Sequence, residues 1–213
     1  MKKMEIGNAV VYCGDCREIL SDLSFDGVLT DPPYGMAYET GWSSPWQGQI
    51  ANDGDTTCRD TALQMIGEKP ALVFGVRKMP PPPKTRMILV WDKGPALGMG
   101  ALDLPWKPTY EEIYVLGKGF SGHRGGAVIY QPPVQSMAKN GRLHPNEKPV
   151  ALLKTLLLKM PVETICDPFM GSGSTGVAAM EMGKKFVGIE VEPKYFDIAC
   201  KRIEQAQQQL KLF

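Results

Sequence analysis

The stretch "ETICDPFMGSGSTGVAAMEMGKKFVGIE", residues 163–190, constrains the fold more than any other. An apolar run (163–167) ends in Asp167, and a glycine-rich turn follows. A helical pattern spans 174–182, and a second apolar run (185–190) ends in Glu190. Two apolar runs joined through a tight turn and a helix read as parallel strands with a crossover. Parallel strands need cover on both faces, so helices must flank the sheet on each side. The N-terminal part repeats the alternation. "AVVYC" (9–13) reads as a strand, "DCREILSDL" (15–23) as a helix with Ile19, Leu20 and Leu23 on one face, and "FDGVLT" (25–30) as a strand. Pro149 opens a helix over 149–160, and a last helix covers 193–212.

The middle of the chain is less regular. Residues 35–56 show no period and read as a loop, with a helix near 57–67. Strands are predicted at 71–75, 86–92, 111–117 and 127–131. "MPPPPK" (79–84) is extended and cannot pair in the centre of a sheet. Gly and Pro punctuate 94–108 and 118–126, and unstructured stretches of this length in a compact domain carry function or are disordered.

A chain of 213 residues supports one substantial core, so a single domain over 1–213 is expected, with 35–143 holding loops rather than a second domain. No run approaches the roughly 18 apolar residues of a membrane span. The apolar stretch in "MKKMEIGNAVVY" is too short for a signal peptide, and a soluble cytoplasmic protein of a bacterial or phage-type host is expected. The cysteines sit at 13, 16, 58, 166 and 200, and the histidines, His123 and His144, lie far apart. Cys13-x-x-Cys16 lacks the second pair a structural zinc needs, so reduced thiols and no metal are expected. Basic residues exceed acidic ones over 35–143, which makes that region the expected surface for a polyanion.

Three acids follow strands. After Asp167, Gly171 and Gly173 let the backbone turn tightly and a ligand approach closely. The helix that follows offers unpaired N–H groups. No lysine follows the second glycine, so the phosphate loop of ATP and GTP enzymes is absent. Glu190 ends the next strand, where an acid accepts both hydroxyls of a ribose; Glu192 reads as a solvated acid before Pro193. Asp15 follows the first strand. It caps the next helix, accepts a hydrogen bond from an adenine amino group, or does both.

The fourth strand-end acid opens Asp31-Pro32-Pro33-Tyr34. Each proline holds the preceding residue extended. The group thus offers a carboxylate acceptor, a rigid carbonyl acceptor and a flat aromatic face. That set matches a planar ring bearing an exocyclic NH2.

"DPPY" resembles the catalytic motif of the amino-group DNA methyltransferases, which make N6-methyladenine or N4-methylcytosine. "DPFMGSGST" resembles their S-adenosylmethionine loop, with Ser174 where Thr is usual. "HPNEKPVALLKTLL" (144–157), "GDCREIL" and "YEEIYVLGKG" (110–119) are similar to segments of the subgroup whose catalytic motif comes first. The resemblance implies a Rossmann-like α/β domain with a mostly parallel seven-stranded sheet and permuted motif order. The strands near 163 and 185 would sit beside those near 9 and 26, and 86–92 and 111–117 would form the last hairpin. It implies S-adenosylmethionine as cofactor, touched by Asp15, Asp31, His144, Lys148, Asp167, Phe169, Gly171, Gly173, Ser174 and Glu190. It implies Asp31, Pro32, Pro33 and Tyr34 as catalytic residues acting on a flipped-out base. Asp before Pro-Pro-Tyr points to adenine over cytosine, and double-stranded DNA is the expected partner. Glu147 and Lys148 also read as capping and solvated charge ahead of a helix.

Target recognition falls to the loops around Trp42, Trp46, Arg77, Lys78, Lys84, Arg86, Arg124, Lys139 and Arg142. A homodimer and a partner subunit are both open. The rival activities are N4-methylation of cytosine, methylation of RNA or of a protein glutamine, and DNA binding without turnover.

Overall fold

The computed structural model describes residues 2–34, 54–95, 103–134 and 147–210. Nine strands form one sheet: β1 (Lys2–Ile6), β2 (Ala9–Cys13), β3 (Gly27–Thr30), β4 (Ala71–Gly75), β5 (Met87–Asp92), β6 (Tyr110–Leu116), β7 (Val128–Tyr130), β8 (Thr164–Asp167) and β9 (Lys185–Glu190). Their order is β1-β2-β9-β8-β3-β4-β6-β5-β7. β2, β9, β8, β3 and β4 run parallel, β6 runs against both β4 and β5, and β1 runs against β2.

The sheet has nine strands rather than the expected seven. The seven strands from β2 to β5 are the expected set, with the strands near 163 and 185 between those near 9 and 26. β1 and β7 extend it at the two edges. β1 pairs with β2 through a two-residue Gly7-Asn8 turn, and Gly7 has a φ of 56°. Gly-Asn between two short runs is a hairpin signal. The outward residues of β1 are exposed on both faces, so no apolar alternation marks it.

β3, β4 and β8 lie in the sheet centre, and β3 and β4 are buried at every position. That is why they read as unbroken apolar runs. The helices are α1 (Cys16–Ile19), α2 (Thr57–Ile66), α3 (Val150–Leu157), α4 (Ser174–Glu181) and α5 (Pro193–Leu210). Leu152, Leu156, Ala178, Phe196 and Ile203 of α3, α4 and α5 pack on one face of the sheet. Ile19, Ala62 and Ile66 of α1 and α2 pack on the other. Truncating a fully buried aromatic such as Phe196 to Ala costs about 3–5 kcal/mol. The expected helix over 15–23 is instead one α turn followed by a 3-10 turn at Leu20–Asp22. Ile19 and Leu20 are still buried, and the tighter turn releases the chain in time to enter β3.

Candidate active site

The carboxyl ends of the parallel strands meet at one edge. β8 and β3 are neighbours; from them the chain winds outward to β9 on one side and to β4 on the other. This is the switch point where open α/β sheets form a crevice. Asp167 ends β8 and Asp31 follows β3, so adjacent strands bring both acids to that crevice. Thr30 donates to Asp167 Oδ1 at 2.6 Å, and the Phe169 N–H donates to the same oxygen at 3.1 Å. Burial pushes the Asp167 carboxyl up to about 6, against the pull of the Thr30 and Thr175 hydroxyls.

Around Asp31 lies a chain of alternating charge. The Tyr34 hydroxyl donates to Asp31 Oδ1 at 2.6 Å, and the Lys148 ammonium donates to Oδ2. Lys148 Nζ also lies 3.3 Å from Glu111 Oε2, and Lys93 pairs with the other oxygen of Glu111. The Lys148 ammonium sits 5.0 Å from the centre of the Phe74 ring. Only 6% of the Lys148 side chain is exposed. Burial pushes the Asp31 carboxyl up, and Lys148 opposes that rise. Burial pushes Lys148 down, yet Asp31 and Glu111 together hold its ammonium above its ordinary range. Burial also pushes Glu111 up, but the two lysines hold it below the ordinary carboxylate range.

Antiparallel pairing brings Glu111 here. β6 runs against β4, so its first residues lie at the carboxyl edge, opposite Gly75. β5 runs with β4, so Lys93, just past its end, reaches the same place.

The glycine turn lies across the crevice. Gly173 precedes α4 with a φ of 81°, and a Cβ there would lie 2.9 Å from the Ala199 Cβ, so this position suits glycine alone. Glu190 accepts the Gly171 N–H at 2.7 Å and the Glu192 N–H at 2.8 Å. Burial pushes its carboxyl up to about 7, partly offset by those two bonds. Arg202 of α5 fastens the turn, donating to the Ser172 carbonyl at 2.8 Å and to Ser174 Oγ at 3.2 Å. Its other nitrogen donates to Glu147 at 2.7 Å.

One cleft is thus lined by Asp31, Lys148, Asp167, Phe169, Gly171 and Ser174, with Glu190 behind the turn. Pro32 is buried and Pro33 half-buried beside Asp31. Asp15 caps α1, accepting the Arg17 N–H at 2.9 Å, and pairs with the Arg17 guanidinium. Glu147 and Lys148 are not solvated: each is held in a buried ion pair, Lys148 with Asp31 and Glu147 with Arg202. His144, Trp42, Trp46, Lys139 and Arg142 lie outside the described residues. Arg77 and Lys78 are exposed just past the carboxyl end of β4. Lys84, Arg86 and Arg124 belong to the opposite edge, where Lys84 faces Glu68 and Arg86 holds the Gly117 carbonyl.

Glu111, Lys93 and Arg202 were not singled out from the sequence. Glu111 and Glu112 are consecutive on a strand and so face opposite sides, which is a signal that an acid points inward. Arg202 sits three residues after Ala199, beside the apolar stripe of Phe196, Ala199 and Ile203.

The donor set fits a cationic nucleoside. Three carboxylates, Asp31, Glu147 and Asp167, line the cleft, and each Glu190 oxygen keeps a lone pair for a hydroxyl after accepting its N–H.

Comparison with known proteins agrees with this arrangement. A family of N6- and N4-directed enzymes described as "DNA methylase" matches residues 89–201. The chain is 24% identical over 220 residues to "Putative methylase YubD" of Escherichia coli (strain K12), covering 93% of this chain and 91% of that protein. It is 48% identical over 63 residues to the type II methyltransferase M2.DpnII of Streptococcus pneumoniae, 29% of this chain and 24% of that protein. Its fold superposes on the PvuII DNA methyltransferase (cytosine-N4-specific) with a TM-score of 0.70 and 14% identity, covering 96% of this chain and 92% of that one. With its strand order, its crevice acids and a family match over more than half its length, this chain belongs to the N6/N4 DNA methylase family.

Proposed function

We propose that this chain is a site-specific DNA adenine N6-methyltransferase that uses S-adenosylmethionine. One observation carries the reading: the Asp31 carboxylate and the Asp167–Ser174 turn line the same cleft, so an amino-group acceptor and a nucleoside cradle lie side by side. Asp167, Phe169, Gly171, Gly173 and Ser174 would hold the cofactor, with Glu190 on its ribose hydroxyls. Asp15 would face its adenine, and His144 and Lys148 its methionine end. When bound, the cofactor supplies an electrophilic methyl group on sulfur.

The chain's own residues prepare the nucleophile. An adenine amino lone pair is delocalised into the ring and attacks poorly. Asp31 and the Pro32 carbonyl accept its two N–H groups, which favours a tetrahedral nitrogen with a localised lone pair. Positive charge grows on that nitrogen during attack, and the Asp31 carboxylate stabilises it. The same carboxylate accepts the surplus proton afterwards. Pro33 keeps the segment extended, and Tyr34 holds the base flat once it has left the duplex. Alignment supplies much of the remaining acceleration. Arg77 and Lys78, exposed past the carboxyl end of β4, suit DNA phosphates. The choice of adenine rests on the resemblance of Asp31-Pro32-Pro33-Tyr34 to the adenine-type motif.

The test offers methyl-labelled S-adenosylmethionine with duplex DNA, RNA or protein, then identifies the labelled product. N6-methyladenine in DNA is expected. N4-methylcytosine would overturn the choice of base, and label in RNA or protein alone would overturn the choice of DNA.

A further inference from the structure

Both oxygens of Asp31 are engaged within the protein: Oδ1 by the Tyr34 hydroxyl and Oδ2 by the Lys148 ammonium. The ammonium resembles what Asp31 stabilises during transfer, a positive nitrogen donating N–H to a carboxylate. A target amino group that donates to Asp31 must therefore contend with Lys148. Lys148 is buried, and an ammonium pushed off its partner in such a place is costly unless another anion receives it. Glu111 is already 3.3 Å from Lys148 Nζ and 3.5 Å from the Tyr34 hydroxyl. Lys93 pairs with its other oxygen, and the Phe74 ring lies 5.0 Å from the ammonium.

We propose that Glu111 is a positioning residue: it receives the Lys148 ammonium when the target amino group takes that ammonium's place on Asp31. The movement is a transfer between neighbouring anions, so no buried charge is left unpaired. This rests on the amino-methyltransferase reading of the site. Among the described residues, Lys148, Tyr34, Glu111 and, from β8, Asp167 are the titratable groups around Asp31, with Lys93 behind Glu111.

Glu111→Gln keeps the shape and removes the receiving charge. It should lower kcat/KM for DNA by about tenfold or more while cofactor affinity stays within about twofold, because the burden falls on seating the base. Glu111→Asp, which keeps the charge, should recover most of the loss. In a Lys148→Met background, Glu111→Gln should cost nothing further, and that double variant removes a cation and its anion together, so the net charge of the cluster is unchanged if the single one folds poorly. Losses that multiply, or a Glu111→Gln enzyme with normal kcat/KM, overturn the proposal. A second readout needs no acceptor: the Asp31 carboxyl, followed by 13C NMR and assigned with Asp31→Asn, should titrate at lower pH in Glu111→Gln, since the ammonium then serves Asp31 alone. An unchanged titration overturns the sharing of Lys148. A chain that methylates no DNA yet shows that shift sinks the functional reading and leaves the shared ammonium standing.

Discussion

Arg202 on α5 donates to Glu147 at 2.7 Å while its other nitrogen holds the Ser172 carbonyl at 2.8 Å. One guanidinium thus ties the last helix, the glycine turn and the segment leading into α3. Planar two-sided donation of this kind is available to arginine and not to lysine. The Glu147 side chain is 7% exposed, so this ion pair is buried.

Arg202→Met should therefore destabilise the fold by about 3 kcal/mol, because it breaks a buried ion pair and the bonds to the glycine turn. For a chain of this length that lowers Tm by about 6–12 °C. S-adenosylmethionine affinity should fall too, since the turn loses its fastening; calorimetric titration below Tm measures it. Arg202→Lys should recover only part of either loss.

Asp31→Ala removes the proposed acceptor of the amino group and should lower kcat by about a hundredfold or more. Cofactor affinity should stay close to normal, because Lys148 keeps Glu111 as a partner. Filter-binding of labelled cofactor and single-turnover transfer separate the two effects. Transfer at the normal rate would remove Asp31 from the mechanism.

Glu190 makes stability depend on pH. Its folded carboxyl titrates near 7, against an ordinary 4.5, because burial disfavours its charge. The folded chain then holds this proton when the unfolded chain has lost it. Its contribution to stability should fall as pH rises from about 4.5 to about 7, by about 3 kcal/mol, and level off above. Thermal melts of the parent and Glu190→Gln between pH 5 and 8 test this; the variant should show a flatter dependence. A parallel pair of curves would assign the slope to other groups.

Thr30→Val keeps the shape of the β3 terminus and removes a donor from buried Asp167. The loss should be about 1–3 kcal/mol at pH 8, where Asp167 is charged. It should shrink toward pH 5, where Asp167 carries its proton and needs the donor less. Urea unfolding at both pH values gives the comparison.

Much of this was legible along the chain. Asp31, Asp167 and Glu190 each end an apolar run, and in a parallel sheet residues in that position share an edge. Unbroken apolar runs marked the central strands, and 3.6-residue periods marked most of the helices. Less was legible where meaning depends on a distant partner. Lys148 and Glu147 read as solvated charge because their sequence neighbours are polar, yet both are paired inside the crevice. Lys84, Arg86 and Arg77 read alike as basic loop residues, although strand direction sends the first two to the edge away from the cleft.

The sequence by itself determined the parallel α/β class, the order of its motifs and the acids at its strand ends, because local periodicity and turn chemistry carry that information over a few residues. The tertiary structure alone decided that β6 turns back between β4 and β5 and so delivers Glu111 to Lys148. It also decided that α5 lays Arg202 across the glycine turn. Those pairings join residues 37 and 30 positions apart, and only packing, through the burial of charges that must then be matched, brings them within a hydrogen bond.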